Sequence, residues 1–387
     1  VRGEVGKAIS NGLLESPAII RSHGGRARAI EEGSLKIDVA FLGAPACDRL
    51  GNMTGVIGNT ACGALGYAMV DARYARHVIA ITDNLVDYPL SPKISVPQYL
   101  VDQVVLVDSI GDPAKIATGA TRITRDPLQL YIAELAFKVI KASGYLKNDC
   151  SFQTGGGGPS LAVARYVRDY MKANSIKGSY CIGGITGYMA DMLKEGLFKT
   201  LFDVQSFDAA VTDSILHNPN HMEVDASWYA NPFNKGCLVN DLDVVVLAAL
   251  DVDIDFNVDV LTGHDGILRG ASGGHSDTAA GAKLSLITIP SMRNGVPSIK
   301  ERVQTVVTPG ETVDVIVTER GIAVNPKRED LIARLKDSGL PIKDILKLKE
   351  DIETITGIPD EVPFEDEIVG IVEYRDGTII DSIRKIK

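Results

Sequence analysis

Cys150-Ser151-Phe152-Gln153-Thr154-Gly155-Gly156-Gly157-Gly158-Pro159-Ser160 is the stretch on which the fold turns. A short apolar run at 150–154, a glycine turn at 155–160 and an amphipathic stretch at 161–172 spell strand, turn, helix, the unit of an α/β protein. Residues 179–186 and then 188–194 repeat that plan. Working outward, 37–42, 78–82 and 104–107 read as strands before it, and 244–250, 284–289 and 313–318 after it. Ala18-Ile19-Ile20 leads into Ser22-His23-Gly24-Gly25-Arg26 and a helix-like segment to Glu32. Leu128, Tyr131, Ile132, Leu135 and Val139 recur at helical spacing, which predicts a helix over 127–140. Residues 329–336 predict another, and 367–383 a hairpin around Asp376-Gly377. The Gly- and Asn-rich 47–66 reads as an irregular loop, and 110–126, with Gly111, Pro113 and Gly119, as a linker. The organisation expected is two α/β domains with a cleft between them, 1–122 and 123–340, and a helix-and-hairpin tail over 341–387. The chain opens Val1-Arg2-Gly3 without Met, so the front of the first domain is expected to be missing.

Composition narrows the chemistry. Forty Lys and Arg against 50 Asp and Glu leave a formal charge of −10 in 387 residues. Phosphate backbones and anionic membrane surfaces need a basic surplus, so neither nucleic acid nor membrane is expected as a partner. No apolar stretch reaches the roughly 18 residues of a membrane span, and no signal peptide is read. Five widely spaced cysteines (Cys47, Cys62, Cys150, Cys181, Cys237) without a C-x-x-C pair fit reduced, buried thiols and a cytoplasmic protein. No metal is expected, because no Cys/His group has zinc-site spacing.

Glycine is in excess, 38 residues, and it clusters. At Gly155 to Gly158 the N–H groups of a helix start favour a phosphate or carboxylate. A tight strand–helix turn accounts for Pro159 and one glycine, not for four. As a dinucleotide fingerprint the run is poor, since Ser160 stands at the third glycine position. A dinucleotide-dependent oxidoreductase is nevertheless one alternative it leaves open. In Gly270-Ala271-Ser272-Gly273-Gly274-His275-Ser276-Asp277, consecutive N–H groups at Gly273-Gly274 suit an oxyanion hole. His275 there is either a general acid/base or a residue that stiffens the loop, and Asp277 holds the loop by side chain–backbone bonds. Ser22-His23-Gly24-Gly25-Arg26 joins a donor-rich turn to a guanidinium, which suits a polycarboxylate; a locally paired Arg26 is the alternative. Asp251-x-Asp253-x-Asp255 lacks the glycine and glutamate of a calcium loop, and Pro219 separates His217 from His221.

These clusters, together with Ile37-Asp38-Val39-Ala40-Phe41-Leu42-Gly43-Ala44-Pro45-Ala46-Cys47-Asp48-Arg49-Leu50-Gly51-Asn52 and Thr318-Glu319-Arg320-Gly321-Ile322-Ala323, resemble the coenzyme A-transferase family, most closely its citrate lyase branch. The resemblance runs from about Val5 to Pro326. It implies two α/β domains of the coenzyme A-transferase type with the active-site cleft between them. It also implies exchange of acetate for citrate on an acyl-carrier thioester. Partners would be citrate, acetate, a carrier (gamma) subunit with a coenzyme A-like arm and a lyase (beta) subunit, in a homo-oligomer. No tightly bound cofactor is implied. Many relatives use a glutamate nucleophile after the strand written here 201–207. This chain has Asp203-Val204-Gln205-Ser206-Phe207-Asp208 instead, which favours direct attack by a citrate carboxylate through a mixed anhydride. On this reading Gly273, Gly274 and His275 are catalytic; Ser22, His23, Gly24, Gly25 and Arg26 bind substrate; Gly155, Gly156, Gly157 and Gly158 hold coenzyme A or the carrier arm. A free-coenzyme-A short-chain acid transferase or acetyl-CoA hydrolase of the same fold is the alternative, and a non-catalytic scaffold subunit a third.

Overall fold

The computed structural model describes residues 3–115, 123–155 and 158–387. At its centre is an eight-stranded sheet in the order His221–Glu223, Phe198–Ser206, Gly178–Ile185, Phe152–Thr154, Val244–Ala248, Leu284–Thr288, Val315–Thr318, Gly321–Val324. Neighbours are parallel except the last pair, which is antiparallel. The strand quoted at the outset lies in the middle. From it the chain winds outward to Glu223, then returns at Val244 to build the other side. The strand order therefore reverses between Phe152–Thr154 and Val244–Ala248. In open α/β sheets the crevice beyond the carboxyl ends of such a pair is where ligands sit.

Both faces of the sheet are covered, as parallel strands require. Val244 and Val246 pack into one core with the helices Pro127–Ser143, Gly158–Ala173 and Gly187–Lys194. Val245 and Leu247, pointing the other way, join a second core with Ala27, Val70, Tyr229 and Leu348. The alternation repeats at Leu286 and Ile287 and at Val315 and Ile316, so near-continuous apolar runs serve two layers at once. The first of these helices carries its own signals. Asp126 caps it by accepting from Leu128 N–H, Pro127 occupies the first turn, and Gly144 ends it at φ 80°. Its buried side chains Ile132, Leu135, Ala136, Val139 and Ile140 form one stripe.

The N-terminal third builds a smaller unit. Val39–Gly43, His77–Thr82 and Gln103–Leu106 make a parallel three-stranded sheet, close to the expected strands, around Ala40, Leu42, Val78 and Ala80. The stretch expected as an irregular loop, 47–66, contains two short strands. Ala46–Asp48 pairs with Met53–Thr54 and with Leu85–Val86. The reason is Asp48: its buried carboxylate accepts from Leu50 N–H, Asn52 N–H, Asn52 Nδ2 and Leu90 N–H, which closes the turn tightly enough to pair its flanks. Of the expected linker, Pro113–Lys115 forms a single helical turn; residues 116–122, including the expected division at 122, lie outside the described residues.

The tail forms the helix Ile345–Thr356 and the hairpin Phe364–Glu373 with Ile379–Ile386, whose turn holds Gly377 at φ 96°. The hairpin does not stand alone. Ala18–Ile20 adds to it as a parallel third strand, and Arg21 pairs with Glu373. The two ends of the chain are thus tied directly beside Ser22.

Candidate active site

Two of the glycine clusters meet through one carboxylate. Ser22 caps the helix His23–Glu31: its Oγ accepts from Gly25 N–H at 3.0 Å and donates to Asp277 Oδ1 at 2.8 Å. Gly24 N–H donates to Asp277 Oδ2 at 3.0 Å. His23 N–H donates to Gly273 O at 2.8 Å, and Ser272 Oγ to Arg21 O at 2.5 Å. Asp277 is wholly buried, and burial pushes it up to about 6 even though Gly24 N–H, Arg375 and Ser22 favour its ionised form. Gly24 is a packing requirement, because a Cβ there would stand 2.0 Å from Ala230 O.

The structure separates the candidate residues by what their polar groups are already doing. Gly24 and Gly25 spend their N–H groups on Asp277 and Ser22. Arg26 forms a two-pronged pair with Asp71, at 2.8 and 3.1 Å. His275 has both ring nitrogens engaged: Nε2 donates to Ala248 O at 3.1 Å, so Nδ1 accepts from Thr308 Oγ1 at 2.7 Å. Burial lowers it to about 4, and it fixes the glycine loop to the carboxyl end of the central strand. By contrast, Gly273 and Gly274 N–H have no acceptor among the described residues. Gly273 adopts φ 54°, which glycine tolerates without strain, and turns its Cα toward the His23 ring. That ring packs edge-on against Tyr67 with Nδ1 2.6 Å from the hydroxyl. Burial and then the Arg26 charge lower His23 to about 4, so it is neutral at pH 7.

The third cluster lies at the sheet's reversal point. Gly155 N–H donates to Val246 O, and the helix Gly158–Ala173 starts three residues earlier than its apolar spacing indicates, with Pro159 in the first turn. Gly156 and Gly157 lie outside the described residues. Just before the run, Gln153 Nε2 donates to Tyr229 Oη at 3.0 Å. Tyr229 Oη in turn lies where a Gly274 side chain would be, 2.6 Å from its Cβ position. A contiguous path therefore joins all three glycine clusters. Gln153 Oε1 and Thr154 Oγ1 are buried there without a partner among the described residues.

Three participants had no signal in the sequence. Tyr67 and Tyr229 reach the site from helices on the second face. Arg375, at the hairpin turn, sends its guanidinium to Ala230 O and Asn240 Oδ1, each at 3.2 Å, with Nε 3.8 Å from Asp277 Oδ1. A C-terminal D-G turn gives no hint that its neighbour reaches a loop about a hundred residues away. Asp203, in the strand Phe198–Ser206, is wholly buried. It accepts from Ser206 Oγ at 2.7 Å and lies 3.4 Å from His221 Nε2, so it serves the joint with the N-terminal unit, where Ala64 N–H donates to Ser206 Oγ.

His275 makes a testable statement. A histidine lowered in the fold stabilises the protein fully above its unfolded value near 6.5, and that contribution is lost as pH falls toward about 4. Its size is about 3 kcal/mol. Urea unfolding of the wild type and His275→Gln between pH 7 and 4 should show the variant losing distinctly less stability on acidification. Parallel curves would contradict the assignment.

A parallel sheet that reverses between Phe152–Thr154 and Val244–Ala248, with the glycine loops gathered at that strand end, places the chain in the fold class of a solved coenzyme A-transferase. A 4-hydroxybutyrate CoA-transferase from Porphyromonas gingivalis shares the fold, with a TM-score of 0.54 at 16% identity over 86% of this chain and 79% of that one. Within that class the chain belongs to the citrate lyase alpha-subunit family, whose model matches residues 1–386. It is 52% identical to the citrate lyase alpha chain of Klebsiella pneumoniae over 387 residues, all of this chain and 76% of that one. It also superimposes with a TM-score of 0.97, at 52% identity, on a structure described as the alpha subunit of citrate lyase from Streptococcus mutans in complex with citrate, covering all of this chain and 76% of that one. Among the described residues no helix is long and apolar enough to cross a membrane, and no group of His, Cys, Asp and Glu is arranged to hold a metal.

Proposed function

We propose that the chain is a cytoplasmic citrate CoA-transferase subunit, which converts acetyl-carrier and citrate into citryl-carrier and acetate. The carrying observation is the pair of N–H groups at Gly273 and Gly274 that have no acceptor among the described residues, held at the strand reversal opposite a neutral His23. A citrate carboxylate attacks the thioester carbonyl, the C–S bond breaks, and a citryl–acetyl anhydride and a thiolate result. The thiolate then attacks the citryl carbonyl and expels acetate. Gly273 and Gly274 N–H receive the oxyanion formed in each step. A carboxylate is already a nucleophile at pH 7, so alignment supplies the rest, in keeping with the buried, occupied Asp203. The carrier's coenzyme A-like arm lies along the start of Gly158–Ala173, where helix N–H groups favour its phosphates. His275 acts through the loop it holds. A carrier (gamma) and a lyase (beta) subunit complete the assembly, with the chain itself in a homo-oligomer.

Mass spectrometry of an acetyl-loaded carrier mixed with the protein and citrate should show citryl-carrier. In a single turnover with carboxyl-¹⁸O citrate, the released acetate should carry one label. Unlabelled acetate would reject the direct anhydride. Turnover of acetyl-CoA and acetate with no carrier would instead identify a free-coenzyme-A enzyme, and quenching of Trp228 fluorescence by a nicotinamide cofactor an oxidoreductase.

A further inference from the structure

Beside the glycine loop, the chain leaving the central strand opens a cavity of about 120 Å³ lined by Leu250, Asp251, His264, Arg269, Arg293 and Asn294. Arg293 dominates it. The guanidinium is half-buried, and its partners among the described residues are two carbonyls, Ala249 O at 2.6 Å and Leu250 O at 3.3 Å. Neutral carbonyls orient a cation without cancelling its charge. The nearby carboxylate of Asp251 is already taken by Lys300 at 2.9 Å, a buried pair. Arg269 is paired with Asp265. Counting these groups, one positive charge is left over, and it is that of Arg293. A half-buried cation whose nearby carboxylate, Asp251, is shared with Lys300 is left under-compensated, and burial lowers the Arg293 pKa from its usual value despite the Asp251 charge. In a chain of net charge −10 such a cation is unusual, and an anion in the cavity would relieve it.

We propose that this cavity is a carboxylate-binding subsite in which Arg293 is the counter-ion, held in place by the Ala249 and Leu250 carbonyls. The volume fits acetate or one carboxylate arm of a larger acid; it is too small for a nucleotide. Planar guanidinium and planar carboxylate match in a two-pronged bond, which a lysine reproduces poorly. The position follows from topology. Ala249 and Leu250 continue the strand Val244–Ala248 whose last carbonyl holds His275, so the subsite lies against the same strand end as the Gly273-Gly274 donors. Its use in the reaction, as the place for the citrate arm or the departing acetate, rests on the transferase reading; its existence does not.

The experiment needs no carrier. Phenylglyoxal modification of arginines in the wild-type protein, mapped by peptide mass spectrometry, should be slowed at Arg293 by acetate and by citrate, but not by chloride at equal ionic strength. Protection by both acids assigns the cavity to any carboxylate; protection by citrate alone assigns it to the larger substrate. In parallel, calorimetry should show citrate or acetate affinity falling about tenfold or more in Arg293→Gln, the worth of a charge-assisted hydrogen bond, with partial retention in Arg293→Lys. Unchanged modification at Arg293 in the presence of both acids overturns the subsite, whatever the variants do. Protection without carrier-dependent exchange would leave the subsite standing and remove the transferase reading; exchange without protection would do the reverse.

Discussion

Gly24→Ala is expected to lose about 3 kcal/mol of stability and to slow carrier exchange about 100-fold. The added methyl would lie 2.0 Å from Ala230 O and 2.8 Å from Asp277 Oδ1. The first of these is backbone, held at a helix end by Arg375, so it cannot swing aside. The helix His23–Glu31 must move instead, and His23 and the Ser22 cap move with it. An ångström of displacement at His23 is enough to spoil alignment with the Gly273 and Gly274 donors. Gly43→Ala is the control, since nothing lies within 4 Å of its Cβ position, and it should stay within about 0.5 kcal/mol of wild type. A Gly24→Ala protein with wild-type urea midpoint and exchange rate would show that the Ala230 contact is not fixed.

Asp277→Ala should be the other severe change, at about 4 kcal/mol. It removes the acceptor for Ser22 Oγ and Gly24 N–H and leaves the Arg375 guanidinium buried without its carboxylate. Because one member of a charged pair is lost, the double variant Asp277→Ala/Arg375→Met should recover at least about 1 kcal/mol relative to the sum of the single changes. The pH dependence runs opposite to that of His275. An acid raised in the fold to about 6 contributes fully below its unfolded value near 4, and that contribution is lost as pH rises through 6. The change is about 3 kcal/mol. Asp277→Asn, which keeps the shape without the titration, should therefore flatten one component of the stability curve between pH 4 and 6. An unaltered curve would place the buried titration elsewhere.

Local chemistry made much of the fold legible. Runs such as Val244-Val245-Val246-Leu247 are apolar at every position because each strand faces two cores, and a run of that kind is readable without neighbours. The helix at Pro127–Ser143 announces its cap, its proline and its final glycine in sequence. The 47–66 stretch was not legible, since its pairing depends on one carboxylate gathering four donors, three from within 48–52 and one from Leu90. Nor did the sequence tell donors from structural glycines. Gly24, Gly25, Gly273 and Gly274 look alike on paper, and only the acceptors around them divide committed N–H groups from those with no acceptor among the described residues.

By itself, then, the sequence determined an acidic α/β protein of alternating strands and helices with its glycines in clusters, because strand period, helix period and glycine excess are properties of contiguous residues. It also carried the family likeness. The site itself was decided by tertiary structure. Ser22 and Gly24 meet Asp277 across some 250 residues, Arg375 arrives from the C-terminal hairpin, and Arg293 faces a cavity bounded by a distant strand end. Those contacts depend on which strands become neighbours at the sheet's reversal, and strand neighbourhood is a long-range choice that no window of sequence contains.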